Sequence, residues 1–151
     1  MANSQAMCTS FKGEILSGIH ALGTTVIRAG TGADTLKAAL YLASSSQGAA
    51  TTAYGISGEV SGTGYSAGGV TITNANPPTT SGTTGYWTPS ASFTYTTVTL
   101  TTAFDAVLVY NSTQSNKAIS VHTFGSQTIT AGNFSLTMPT NDSTNALLRI
   151  A

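Results

Sequence analysis

Charge is what this sequence has least of. Its 151 residues carry five Lys and Arg, five Asp and Glu and no net charge. The charged fraction is 7 %, against roughly 25 % in an ordinary soluble domain. Lys12, Arg28, Lys37, Lys117 and Arg149 are spread along the chain and make no patch. Nucleic-acid binding relies on clustered cations that replace phosphate counterions, so no nucleic-acid partner is expected. Cysteine is nearly absent too. Cys8 stands alone, which excludes an intrachain disulfide and the cysteine-rich zinc patterns. No run approaches the roughly 18 apolar residues of a membrane helix, so no membrane partner is expected. Met1 to Cys8 lacks a basic segment followed by an apolar core, so synthesis in a cytoplasm is expected. The three Asn-x-Ser/Thr triplets, at Asn111, Asn133 and Asn141, then read as chance in a Ser/Thr-rich chain.

Small residues and hydroxyls fill the space that charge leaves. Thr is β-branched and suits exposed strand faces, which favours β-structure. A surface of hydroxyls and methyls does little to keep chains apart, and it suits a protein packed on other chains. Six of the sixteen glycines fall between Tyr54 and Gly69. Glycine reaches positive φ without steric cost, so this density marks tight turns and close backbone approach. Tyr54, Ile56, Val60 and Tyr65 give the stretch apolar surface to bury, unlike a flexible linker. Glu59, Gly62, Gly64, Tyr65, Gly68 and Gly69 are its expected structural turn residues. Glu59 should accept hydrogen bonds from nearby turn N–H groups.

One domain fits this length. Residues 1–7 read as an N-terminal arm and residues 8–151 as the body. Cys8, Phe11, Ile15, Ile19 and Leu22 recur at helical spacing and predict one short helix over 8–22, stopped at Gly23. Thr24 to Ile27 reads as a short extended piece. Leu36, Ala38, Leu40 and Leu42 alternate as a half-buried strand. Val70 to Thr73 reads as another, broken by Asn76-Pro77-Pro78, and residues 79–85 read as a loop. In residues 92–100, Phe93 and Tyr95 share one face and Val98 and Leu100 the opposite phase, which predicts a bulge at Thr96–Thr97. Ala106 to Tyr110 is apolar throughout, as a strand buried on both faces would be. Lys117 to Phe124 forms a hairpin with it. A second hairpin is expected around Ala131-Gly132-Asn133, and a last strand over 146–150. About eight strands at short spacing predict an all-β, single-domain β-sandwich or jelly-roll-like fold with one short N-terminal helix.

Motifs with chemistry are few. Gly64-Tyr65-Ser66-Ala67-Gly68 matches the nucleophile pattern G-x-S-x-G, and Asp105 and His122 follow in hydrolase order. That motif works only at a strand-to-helix turn, and here a strand pattern follows. Gly62 to Ala67 matches a dinucleotide fingerprint and fails for the same reason. His20 and His122 have no carboxylate cluster beside them, so no metal site is expected. Glu59 and Asp105 are a formal carboxylate pair that nothing in the spacing selects. Tyr86, Trp87, Phe93 and Tyr95 would suit a sugar platform, but more often such residues are core or interface. No enzyme and no cofactor is expected. Phe11, Ile15, Ile19, Pro77, Pro78 and Trp87 are the candidate subunit-interface residues.

Thr51-Thr52-Ala53-Tyr54 followed by Gly58 to Gly69 resembles a segment of small virion proteins of tailed bacteriophages. Asp34 to Tyr41 looks like the first strand of that family. Ala106 to Ser112, Asn116-Lys117 and Phe124-Gly125 are similar to its downstream half. The match runs from about the helix to Phe134, and residues 76–89 look like an insertion. The resemblance implies a structural protein of the virion, foremost a capsid decoration (cement) protein. Such a protein sits on the capsid surface, binds the major capsid protein and is made in the bacterial host's cytoplasm. Self-association as a dimer or trimer would multiply its contacts. A tail or fibre-base component is the alternative within the virion, and a carbohydrate-binding surface module the alternative outside that class.

Overall fold

The computed structural model describes residues 2–16, 18–23 and 32–151. The expected extended piece at Thr24 to Ile27 falls outside them. The chain order is β1 (Ala6–Met7), α1 (Thr9–Leu16), β2 (Leu36–Leu42), β3 (Val70–Thr71), β4 (Thr79–Ser81), β5 (Thr84–Trp87), β6 (Phe93–Asn111), β7 (Lys117–Leu136) and β8 (Leu148–Ile150). Two antiparallel sheets result, ordered β1-β7-β6-β2-β3 and β4-β5-β8. The body is all-β with one short helix, as the periodicities predict.

The centre of the larger sheet is buried on both faces. Ala106 to Tyr110 and Leu36 to Leu40, apart from Lys37, are almost fully buried. On one face Tyr54 stacks on Tyr110 at 4.6 Å, and the Tyr41 hydroxyl donates to Gly55 C=O at 2.5 Å. The glycine-rich stretch covers that face. On the other, Phe11 meets the His20 ring edge-on at 4.7 Å, and His20 Nδ1 lies 3.1 Å from Asn111 Nδ2. Helix α1 and the small sheet cover this second face.

Several elements differ from the sequence reading. The helix ends at Leu16, well short of Leu22. Gly18, at φ +66°, sits beyond that end in the left-handed region, and its N–H bonds Ile15 C=O at 2.9 Å. The runs 92–100 and 106–110 join into the 19 residues of β6. The expected hairpin at 131–133 is instead a bulge inside β7, with Ala131 at φ +47°. Its N–H finds Thr99 Oγ1 at 3.1 Å, so the strand continues. The expected bulge in β6 is present. Thr97 has φ +53°, and the register shifts between Tyr95 and Val98. Residues 79–85, read as a loop, form the β4–β5 hairpin, with Gly82 at φ +57° in its turn.

The N-terminal arm is fastened to its own body. Asn3 donates to Leu42 C=O at 3.0 Å and to Asp105 Oδ1. It accepts from the Ser45 hydroxyl at 2.6 Å and from Gln47 N–H at 2.8 Å. Ser4 N–H bonds Gln47 C=O, after which β1 pairs with β7.

Candidate interaction site

The glycine-rich stretch repairs a sheet edge. Leu42 N–H bonds Gly58 C=O, Val60 N–H bonds Leu40 C=O, and Ile72 N–H bonds Leu36 C=O. Between Val60 and Val70 the chain leaves β2 and reaches β6, where Thr99 N–H bonds Thr63 C=O at 2.9 Å. Two phenols fill the gap this leaves. Tyr65 Oη accepts Leu40 N–H at 3.0 Å, and Tyr95 O–H donates to Ala38 C=O at 2.8 Å. A buried backbone group without a partner would cost about 1–3 kcal/mol, so both hydroxyls stand in for a missing strand. Gly69, at φ +71°, returns the chain to β2 so closely that a Cβ there would overlap Ala38 C=O.

Glu59 is the hub of this edge. It is buried and accepts from Tyr54 O–H at 2.7 Å, Tyr65 O–H at 2.7 Å and Gly68 N–H at 2.8 Å. Gly68 C=O in turn accepts Tyr110 O–H at 2.8 Å. Burial, and next the bond each donates to the Glu59 carboxylate, holds the Tyr54 and Tyr65 hydroxyls well above the usual phenol range. Burial raises Tyr95 likewise, and it pushes Tyr41 and Tyr110 up to about 12. Glu59 therefore takes the expected turn N–H, and also two phenol donors that sequence did not reveal.

The catalytic candidates stay apart. Ser66 is exposed, and Gly68-Gly69 leads into β3 rather than a helix. Asp105 takes the Asn3 amide. His122 Nε2 lies 2.8 Å from Ser120 Oγ, and burial lowers its pKa to about 4. The two carboxylates of the formal pair are each engaged by donors of their own. Among the described residues no group of three His, Cys, Asp or Glu side chains is placed to hold a metal. The aromatic platform is not formed either. Trp87, Phe93 and Tyr95 are buried, and the Trp87 ring N–H bonds Asn74 Oδ1 and Asn76 C=O, both at 3.0 Å.

What the fold does assemble is a groove of about 320 Å³ between α1, the segment after it and the small sheet. Phe11, Ile15, Pro78 and Trp87 all line it. Phe11 and Trp87 are only 1 % exposed and form its floor. Pro78 and Ile150 stand at its rim, the latter 51 % exposed. Ile19 is half-buried and Pro77 exposed, and neither lines the groove. Leu22, Tyr86, Leu148 and Ile150 belong to the lining without having been named as interface candidates. The apolar run 146–150 was the available signal for the last two. Among the described residues, no Lys, Arg, Asp or Glu lines this groove.

Compared with known proteins, the chain matches no family model, no curated protein and no solved structure.

Proposed function

We propose that the protein is a non-enzymatic virion component, a capsid decoration protein that binds the major capsid protein shell of a tailed bacteriophage. The observation that carries this reading is the apolar groove, whose described lining holds no charged side chain, on a body with few charges. Four residues chosen from sequence as interface candidates converge on it. An apolar recess beside an exposed isoleucine suits protein contact, since exposed apolar surface marks interaction sites. Mass action does the rest. A subunit that binds only the assembled shell stabilises it by its binding free energy, with no chemical step. With so few charges, the affinity should vary little with salt. Association into a dimer or trimer would add avidity.

The test is co-sedimentation of the purified chain with decoration-free capsids over a range of salt. Saturable binding that is nearly independent of salt is expected, and Ile150→Asp should weaken it about tenfold or more. Absence of binding to capsids would sink the reading, and binding to isolated tails instead would move the protein to the tail.

A further inference from the structure

A second, larger recess lies elsewhere, and its walls differ in kind. It has a volume of about 700 Å³. One wall is β1 with Gln5, the other is Leu148 and Arg149 of β8 with the 139–147 segment before them, and Ser120, Val121 and His122 of β7 lie between. Strand β1 is the terminal strand of the larger sheet and β8 the terminal strand of the smaller one. Both terminal strands thus contribute residues to one cleft. Among the described residues, no further strand pairs with either.

The hydrogen-bond phase says what the edges offer. Ala6 pairs with Val121 and Met7 with Ser120, and Cys8 N–H bonds Ile119 C=O at 3.0 Å. Antiparallel partners alternate along a strand, so Ala6 and Cys8 spend their backbone groups on β7 while those of Gln5 and Met7 point away from it. Strand β8 pairs with β5 through Leu148, Arg149 and Ile150 and leaves its other side open. Neither edge carries the proline that commonly blunts an open strand. The partner that matches a row of backbone donors and acceptors is another extended backbone. Ser120 and His122 lie beside apolar Met7 and Leu148, which suits a strand alternating hydroxyl and small apolar side chains.

We propose that this cleft binds an extended peptide segment of another chain, added as a strand on β8 with β1 closing the opposite wall. The inference leans on the assembly reading only for the source of the segment, which would be a neighbouring subunit of the particle. The binding itself is a property of the free chain.

The test uses amide NMR of the full chain titrated with the peptide acetyl-Thr-Val-Thr-Val-Thr-amide. A second peptide carries the same side chains with alternate backbone nitrogens methylated. Saturable shifts are expected at Gln5–Met7 and Leu148–Ala151, and the methylated peptide should bind about tenfold more weakly or worse, because it cannot complete the ladder. Ser143→Trp, which fills the cleft from its half-buried rim, should abolish the shifts. Equal binding of the two peptides, no saturable shift, or shifts confined to the Ile15–Pro78 groove would overturn the proposal. Capsid binding by a chain that ignores the peptide would do the same and leave the assembly reading standing. Peptide binding by a chain that ignores capsids would do the reverse.

Discussion

Replacing Tyr65 by Phe removes one oxygen and breaks two bonds of different kinds. Leu40 N–H, on a fully buried residue, loses its acceptor at 3.0 Å. Stranding such a group costs about 1–3 kcal/mol. Glu59 loses one of its three donors, and a hydrogen bond to a charged group contributes about 1.5–3 kcal/mol. Some of that is recovered if water reaches the site, so the expected total is about 2–4 kcal/mol. Tyr54→Phe also removes a donor from Glu59 but strands no backbone group, and should cost about 1–2 kcal/mol. For a chain of this size the Tyr65 variant should melt on the order of 5–15 °C lower. Urea unfolding with constant slope measures the energies, and hydrogen exchange at the Leu40 amide locates the damage. Equal losses for the two variants, or an unchanged Leu40 exchange rate, would refute the claim that a phenol replaces a strand here.

The remaining predictions rest on the same geometry. Tyr41 and Tyr110 titrate at about 12 in the folded chain against about 10 when unfolded, so the folded state favours the protonated phenol. Stability should therefore be intact below pH about 10 and fall steeply from there to about 12, with phenolate absorbance rising together with unfolding. His122 has the opposite sign. Its lowered pKa of about 4 means that stability is complete above about 6.5 and is lost as pH falls towards 4. His122→Gln should flatten that acid limb in pH-dependent melting. Gly69→Ala should cost on the order of 3–5 kcal/mol, because the new Cβ would sit 1.8 Å from Ala38 C=O at φ +71°. Gly82→Ala, at φ +57° with open space around it, should cost only about 1–2 kcal/mol. Chemical denaturation of the pair separates backbone collision from dihedral strain alone.

Local pattern carried part of this fold. The bulge at Thr97 was legible because Phe93 and Tyr95 lie in one phase and Val98 and Leu100 in the other. The doubly buried strand at 106–110 was legible as an unbroken apolar run. The β4–β5 hairpin was not, since Thr79 to Gly85 has no apolar alternation and its strands are positioned by neighbours, β8 among them. Ala131 misled because a turn and a bulge ask for the same small residues. The lining of the apolar groove was half legible. Periodicity found Phe11 and Ile15, but it cannot tell a groove floor from a groove rim. The tyrosines around Glu59 lie at positions 41, 54, 65, 95 and 110. No period joins them, and only the fold brings their hydroxyls to one place.

Residues 3–7 precede in sequence everything they are fastened to. Asn3 waits for Asp105, and Met7 waits for Ser120. During synthesis that stretch therefore stays loose until residues 105–120 have followed it. The cleft between β1 and β8 needs residues 6–7 on one side and 148–149 on the other. A chain broken off before Leu148 cannot form it, so such products would be shut out of docking through that cleft.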